Sequence, residues 1–149
     1  MKLEEEIKQK KFKNEYQKLG INIIYTGNWL SLHHAKKCKT LGITPEQFNI
    51  LRILRGQYPK PATVNLLTER MLNKMSNVSR LVEKLRKKDL LARHISELDR
   101  RACDVVITKK GLHLLDELDK VEVEWNSLFL QLSKLEARKM NFLLDKLRS

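Results

Sequence analysis

The chain has 149 residues, enough for one domain with a sizeable core. Hydrophobic residues make up 42% of it, which excludes a disordered polyelectrolyte, and only 5 Gly and 3 Pro favour a mostly helical protein. No apolar run approaches the ~18 residues of a membrane span, and the charged start MKLEEEIKQKKFK lacks the apolar stretch of a signal peptide, so a cytoplasmic location is expected.

The formal net charge is +12, and it is unevenly spread. Residues 60–110 hold 13 Lys/Arg against 6 Asp/Glu, whereas residues 111–149 hold 6 against 7. Solubility alone does not require that asymmetry. A polyanion bound by the middle of the chain benefits from it, because each phosphate contact releases counterions. Cys38 and Cys103 are far apart in sequence and are expected to be free thiols.

In chain order, residues 3–36 read as one long helix. Phe12, Tyr16, Leu19, Ile23 and Leu30 form one helical stripe, and Ile21, Ile24, Tyr25 and Trp29 widen it beyond a single packing face. A helix so apolar on several sides needs more than one partner, and a second subunit is a natural candidate. Leu41-Gly42-Ile43 interrupts the pattern. Thr44-Pro45-Glu46-Gln47 then carries the signals of a helix start: a capping Thr, a Pro at the first helical position and a Gln to complete a capping box. Phe48, Leu51, Ile53 and Leu54 are assigned inward, Arg52 and Arg55 outward.

A short helix from about Val64 to Met71 is expected to bury Leu66, Leu67 and Met71. Asn73 is assigned as the cap of the next helix, which runs to about Lys88 with Val78, Leu81, Val82 and Leu85 inward. Its outer face carries Lys74, Ser76, Asn77, Ser79, Arg80, Lys84 and Lys87. Two short helices at a tight turn, the second rich in hydrogen-bond donors, suit a reader of the DNA major groove. Leu90–Ile95 and Ala102–Ile107 read as strands around a polar link, with Cys103, Val105 and Ile107 on one face. Thr108 caps a second long helix, whose apolar side includes Leu112, Leu115, Leu118, Trp125, Leu128, Phe129 and Leu132. Ser133-Lys134-Leu135-Glu136 is another capping box, opening a last helix with Phe142, Leu143 and Leu147.

This order of elements resembles the MarR (multiple antibiotic resistance regulator) family over nearly the whole chain. The family's wing signature is Asp-x-Arg, five residues, then Leu-Thr. Here it reads Asp99-Arg100-Arg101, Ala102 to Val106, then Ile107-Thr108, followed by Lys109-Lys110-Gly111. Asn77 to Leu85 matches the recognition-helix position. Two positions depart from the pattern: Leu72 stands where Gly is common in the turn, and Asp89 where Gly usually precedes the first wing strand.

The resemblance implies a mostly α fold with a small β-hairpin wing. A winged helix-turn-helix over residues 44–110 would be flanked by dimerisation helices at 1–36 and 112–149. It implies a homodimer on a pseudo-palindromic operator in double-stranded DNA, usually a repressor, often released by a small phenolic or acidic effector or by cysteine oxidation. The family would place an effector pocket between the first helix and the winged lobe, where Trp29, His33 and Phe48 are candidates to line it.

Within that frame Arg80 is the candidate for base-edge contact, since a guanidinium binds guanine O6 and N7 together. Asn77 suits adenine, and Ser76 and Ser79 suit bases or phosphates. Lys74, Lys84 and Lys87 suit phosphates that position the helix. Arg101 at the wing tip suits the narrow minor groove, Asp99 orients an arginine, and Arg100 suits a phosphate. His34 and Cys38 share a helix face, but outside the His33–His34–Cys38 cluster His113 is the only other imidazole on an expected helix, and no metal site is assigned. Nothing in the motifs supports an enzyme or a cofactor. Two alternatives stay open: an oxidant-responsive regulator using Cys38, whose thiol neighbours Lys36, Lys37 and Lys39, and a winged-helix interaction module without specific DNA readout.

Overall fold

The computed structural model describes residues 2–95, 103–120 and 122–149. Contacts divide the chain into two units, Met1–Pro45 and Glu46–Ser149.

In the first unit, α1 (Leu3–Glu6) and α2 (Glu15–Thr40) replace the single helix expected over 3–36. The interruption has a local cause. Lys8 adopts a left-handed conformation at φ 54°. Asn14 then restarts the helix, its side chain accepting from Gln17 N at 2.9 Å while Gln17 Oε1 accepts from Lys13 N at 2.8 Å. Helix α1 meets α2 through the Lys18–Glu4 ion pair and a 2.8 Å hydrogen bond from Tyr25 Oη to Glu6. Lys18 holds the Glu4 carboxyl below its ordinary range.

At its other end α2 runs four residues beyond the expected boundary and stops in a Schellman motif. Gly42 sits at φ 69°, Gly42 N donates to Lys39 O and Ile43 N donates to Cys38 O. Leu41-Gly42-Ile43 is thus the break that the sequence indicates.

The second unit holds α3 (Pro45–Gln57, its first residue on the boundary), β1 (Ala62–Thr63), α4 (Val64–Arg70), α5 (Val78–Arg86), β2 (Leu91–Ile95) and β3 (Cys103–Ile107). It ends in α6 (Lys109–Lys120), α7 (Glu122–Ser127) and α8 (Lys134–Arg148). The three strands form an antiparallel sheet in the order β1-β3-β2, with Ala62 opposite Val105 and Leu91 opposite Ile107. Strand β1 is too short to show as a sequence pattern. Val105 and Ile107 face inward, as alternation requires, and pack with Leu67, Met71, Val82, Leu85 and Leu91 in the core. Full burial of a side chain such as Leu85 contributes about 2 kcal/mol.

Helix α3 buries Gln47, Ile50, Leu51 and Leu54, whereas Phe48 and Ile53 are only half-buried. The inward assignment of Phe48 and Ile53 is therefore corrected in favour of Ile50. Arg55 is not a free outward cation either. It reaches α6, where its Nη2 lies 3.2 Å from Asp119 Oδ1 and its Nη1 bonds the other carboxylate oxygen.

Helix α6 is seated on the sheet by its first turn. Asp89, at φ 60°, supplies the left-handed residue that glycine would otherwise provide. Its carbonyl accepts from Thr108 Oγ1 at 2.7 Å, and the same hydroxyl accepts from Gly111 N at 3.1 Å, so Thr108 caps α6 as expected. The capping box at Ser133 and Glu136 also forms. Helix α8 buries no residue, and Leu135, Phe142, Leu143 and Leu147 are all exposed. No helix among the described residues is long and apolar enough to cross a membrane.

Candidate nucleic-acid interface

Helix α5 is short, and its two faces differ sharply. Val78, Val82 and Leu85 are buried against α4 and the sheet. Ser79, Arg80, Lys84 and Lys87 are exposed. Arg80, Lys84 and Lys87 follow spacings of four and three, so they lie along one stripe. Glu83 is the only acid on the helix, and Arg86 neutralises it through bonds of 2.8 and 3.0 Å. That guanidinium holds the Glu83 carboxyl below its ordinary range, so the pair stays ionised and the exposed stripe keeps its positive charge.

The helix begins later than the sequence suggests. Asn73 does not cap it. Its Oδ1 instead accepts from Met75 N at 3.0 Å, and its carbonyl accepts from Ser76 N at 3.2 Å, which builds the turn. The cap is Asn77, whose Oδ1 accepts from Arg80 N at 3.0 Å. Lys74, Ser76 and Asn77 therefore precede the first helical turn. Capping occupies the Asn77 oxygen, which a two-point contact to adenine would also need. The Lys74 ammonium folds back onto the Glu69 carbonyl. The Ser76 hydroxyl is buried and makes no hydrogen bond among the described residues, so it is not presented to a ligand.

The turn into α5 lacks glycine, and a side chain from outside compensates. Asn49 on α3 accepts from Leu72 N at 2.8 Å. Sequence reasoning missed this residue because its partner lies 23 positions away and no local pattern links them.

Asp99, Arg100 and Arg101 lie outside the described residues, as does the side chain of Cys103. The strands that carry the hairpin are described, and His94 pairs with Asp104. Of the candidate effector residues, Trp29 and His33 meet edge-on with centroids 4.7 Å apart on α2. Phe48 lies in the second unit, with the Arg52 guanidinium 5.8 Å from its ring centroid. Cys38 is completely buried, which closes its thiol to solvent oxidants in this conformation.

Residues 41–102 match the model of the MarR family. A segment of 86 residues is 30% identical to the HTH-type transcriptional regulator MhqR of Bacillus subtilis (strain 168), covering 58% of each chain. The match thus spans little more than half of that relative. Among solved structures, the S. aureus MepR–DNA complex superposes with a TM-score of 0.77 at 23% identity, covering 92% of this chain and 97% of that one. The chain is similar to the MarR family over part of its length. Another structure with this fold is the organohalide-sensing regulator RdhR in its 2,4-dichlorophenol-bound form, with a TM-score of 0.80 at 17% identity over 94% of this chain and 85% of that one. In terms of the winged-helix fold that these structures share, α4 and α5 are the helix-turn-helix and β2–β3 the wing. The two departures from the family pattern, Leu72 and Asp89, are accommodated by the Asn49 hydrogen bond and by a left-handed aspartate.

Proposed function

We propose that this protein is a sequence-specific regulator of transcription that binds double-stranded DNA as a homodimer. The observation that carries the reading is the exposed Arg80–Lys84–Lys87 stripe on a helix whose opposite face is locked into the core. A rigid helix with cationic donors on one side is what major-groove binding needs. Arg80 reads a base edge, Ser79 supports it, and Lys74, Lys84 and Lys87 bind phosphates. Arg101 enters the neighbouring minor groove, Asp99 orients an arginine and Arg100 binds a phosphate.

Two further features support a dimer acting on a pseudo-palindromic operator. Tyr16, Leu19, Ile24 and Leu32 on α2 are exposed, as are Leu135, Phe142 and Leu143 on α8. Apolar surface of that extent on the flanking helices is suited to burial against a second copy. We read the protein as a repressor released by a small phenolic or acidic effector, for which the edge-on Trp29–His33 pair on α2 offers an aromatic face and an imidazole. The phenol bound in the RdhR structure supports that chemical class. Burial of Cys38 counts against the oxidant-responsive alternative.

Genomic fragments retained by the purified protein supply the test. Enrichment of fragments sharing an inverted repeat, with half-sites one helical turn apart, is the expected result. Retention of all fragments in proportion to their length leaves only a nonspecific polyanion binder. Sedimentation at micromolar concentration checks the dimer, and a monomer contradicts it.

A further inference from the structure

Beside the helix-turn-helix, α3 and the end of α4 enclose a groove of about 320 Å³ lined by Asn49, Arg52, Ile53, Gly56, Arg70 and Leu72. Its polar groups are of one kind. Arg52 and Arg70 are exposed guanidiniums that meet no carboxylate among the described residues, whereas Arg55, Arg86 and Arg148 each pair with one. The Asn49 Oδ1 is already engaged by Leu72 N, which leaves the amide nitrogen as its free hydrogen-bonding group. Two cations and an amide donor, set among apolar Ile53 and Leu72, make a site for an anionic oxygen. Apolar walls strengthen such a field.

We infer that this groove binds a phosphate of the DNA backbone, beside the duplex segment read by α5. The inference rests on the DNA-binding reading above. In a helix-turn-helix the first helix crosses the backbone while the second enters the groove. Arg70 is the last residue of that first helix, and Leu72 opens the turn between the two. Both lie on the path that a flanking phosphate takes. Arg52 comes from α3, so the contact surface spans three helices.

The test compares wild type, the Arg52→Gln/Arg70→Gln double variant and Lys60→Gln, which makes a single neutralisation at an exposed site between α3 and β1. Each is titrated over a range of salt with a duplex selected by the protein from a random pool and with a scrambled duplex. Each lost phosphate contact flattens the dependence of log affinity on log salt by about one unit. The double variant, which removes one phosphate contact, is expected to flatten it by about one unit on both duplexes, with Lys60→Gln leaving it unchanged. A wild-type slope in the double variant overturns the inference, as does an equal loss in Lys60→Gln. So does a double variant with unaltered DNA binding that has lost an affinity for inorganic phosphate, which assigns the groove to a free anion. Failure of the wild type to prefer the selected duplex overturns the proposed sequence-specific function, while the scrambled duplex still judges the groove.

Discussion

The Leu72 amide donates to Asn49 Oδ1 across 2.8 Å, tying α3 to the turn of the helix-turn-helix. Leu72 itself is 81% exposed, so its side chain does not anchor the turn. Asn49→Ala is expected to cost about 1 kcal/mol of stability, the net value of one neutral hydrogen bond. It should also weaken DNA binding by loosening the approach to α5. Asn49→Asp keeps the acceptor and should restore the stability. Urea unfolding checks the stability of both variants and a mobility-shift titration checks the DNA binding of Asn49→Ala; equal loss of stability in the two variants contradicts the hydrogen-bond account.

Gly111 is fixed by the crowding at the foot of α6. A Cβ there would lie 2.2 Å from Leu90 O and 2.7 Å from Ile107 Cγ1. The obstacle is backbone on one side and a core side chain on the other, and neither yields easily. Gly111→Ala should destabilise the fold by about 3 kcal/mol. Gly20, inside α2, is different: a Cβ added there would meet nothing within 4 Å, so Gly20→Ala should gain about 0.5–1 kcal/mol from helix propensity. Thermal or urea unfolding of the two variants distinguishes a packing glycine from a replaceable one.

Arg80 and Lys84 lie one turn apart on the same stripe but are assigned different tasks. Arg80→Ala should reduce the preference for selected over scrambled DNA by about 1–3 kcal/mol, the worth of one two-point base contact. Lys84→Ala should weaken both duplexes alike and flatten the salt slope by about one unit. Equal losses on both duplexes for Arg80→Ala would remove it from base readout.

Ser76 stands within the predicted interface, yet its hydroxyl is buried without a hydrogen bond among the described residues. A buried hydroxyl left unsatisfied is a cost to the fold. Ser76→Ala should therefore be neutral or stabilising by up to about 1 kcal/mol, and should leave DNA affinity unchanged. A marked drop in affinity would return the hydroxyl to the contact surface.

Glu136 closes the capping box of α8, and hydrogen bonds from the Ser133 hydroxyl and backbone N–H hold its carboxyl below the ordinary range. A depressed carboxyl contributes stability that is present above its unfolded pKa and is lost as pH falls through the folded value. Carbon-detected NMR titration should place Glu136 below an ordinary glutamate. Ser133→Ala should bring it back toward that range.

The periodicity of the chain is sufficient for α3, α4, α5, the two wing strands and α8, because each has an amphipathic stripe or alternation, reinforced by local caps on α4, α5 and α8. Gly42, Thr108 and Ser133 cap their helices through hydrogen bonds spanning five residues or fewer, so their capping roles are legible in sequence. The break between α1 and α2 escapes such a reading because apolar spacing continues across it, while the Asn14 cap that restarts the helix is a polar signal of a different kind. The start of α5 is misplaced by it because Asn73 and Asn77 are equally good caps in isolation, and the geometry of the turn selects the second.

Sequence by itself determined the donor stripe of α5, the basic bias of the middle of the chain and the order of helices and strands. These depend on residue type and short-range spacing, which a linear reading preserves. Tertiary structure alone decided that Asn49 secures the turn, that Ser76 is turned inward, that Arg55 is bound to Asp119, and that Arg52 and Arg70 share one groove. Each of these joins or separates groups through the packing of distant segments, and no local periodicity encodes which distant partner a side chain will meet.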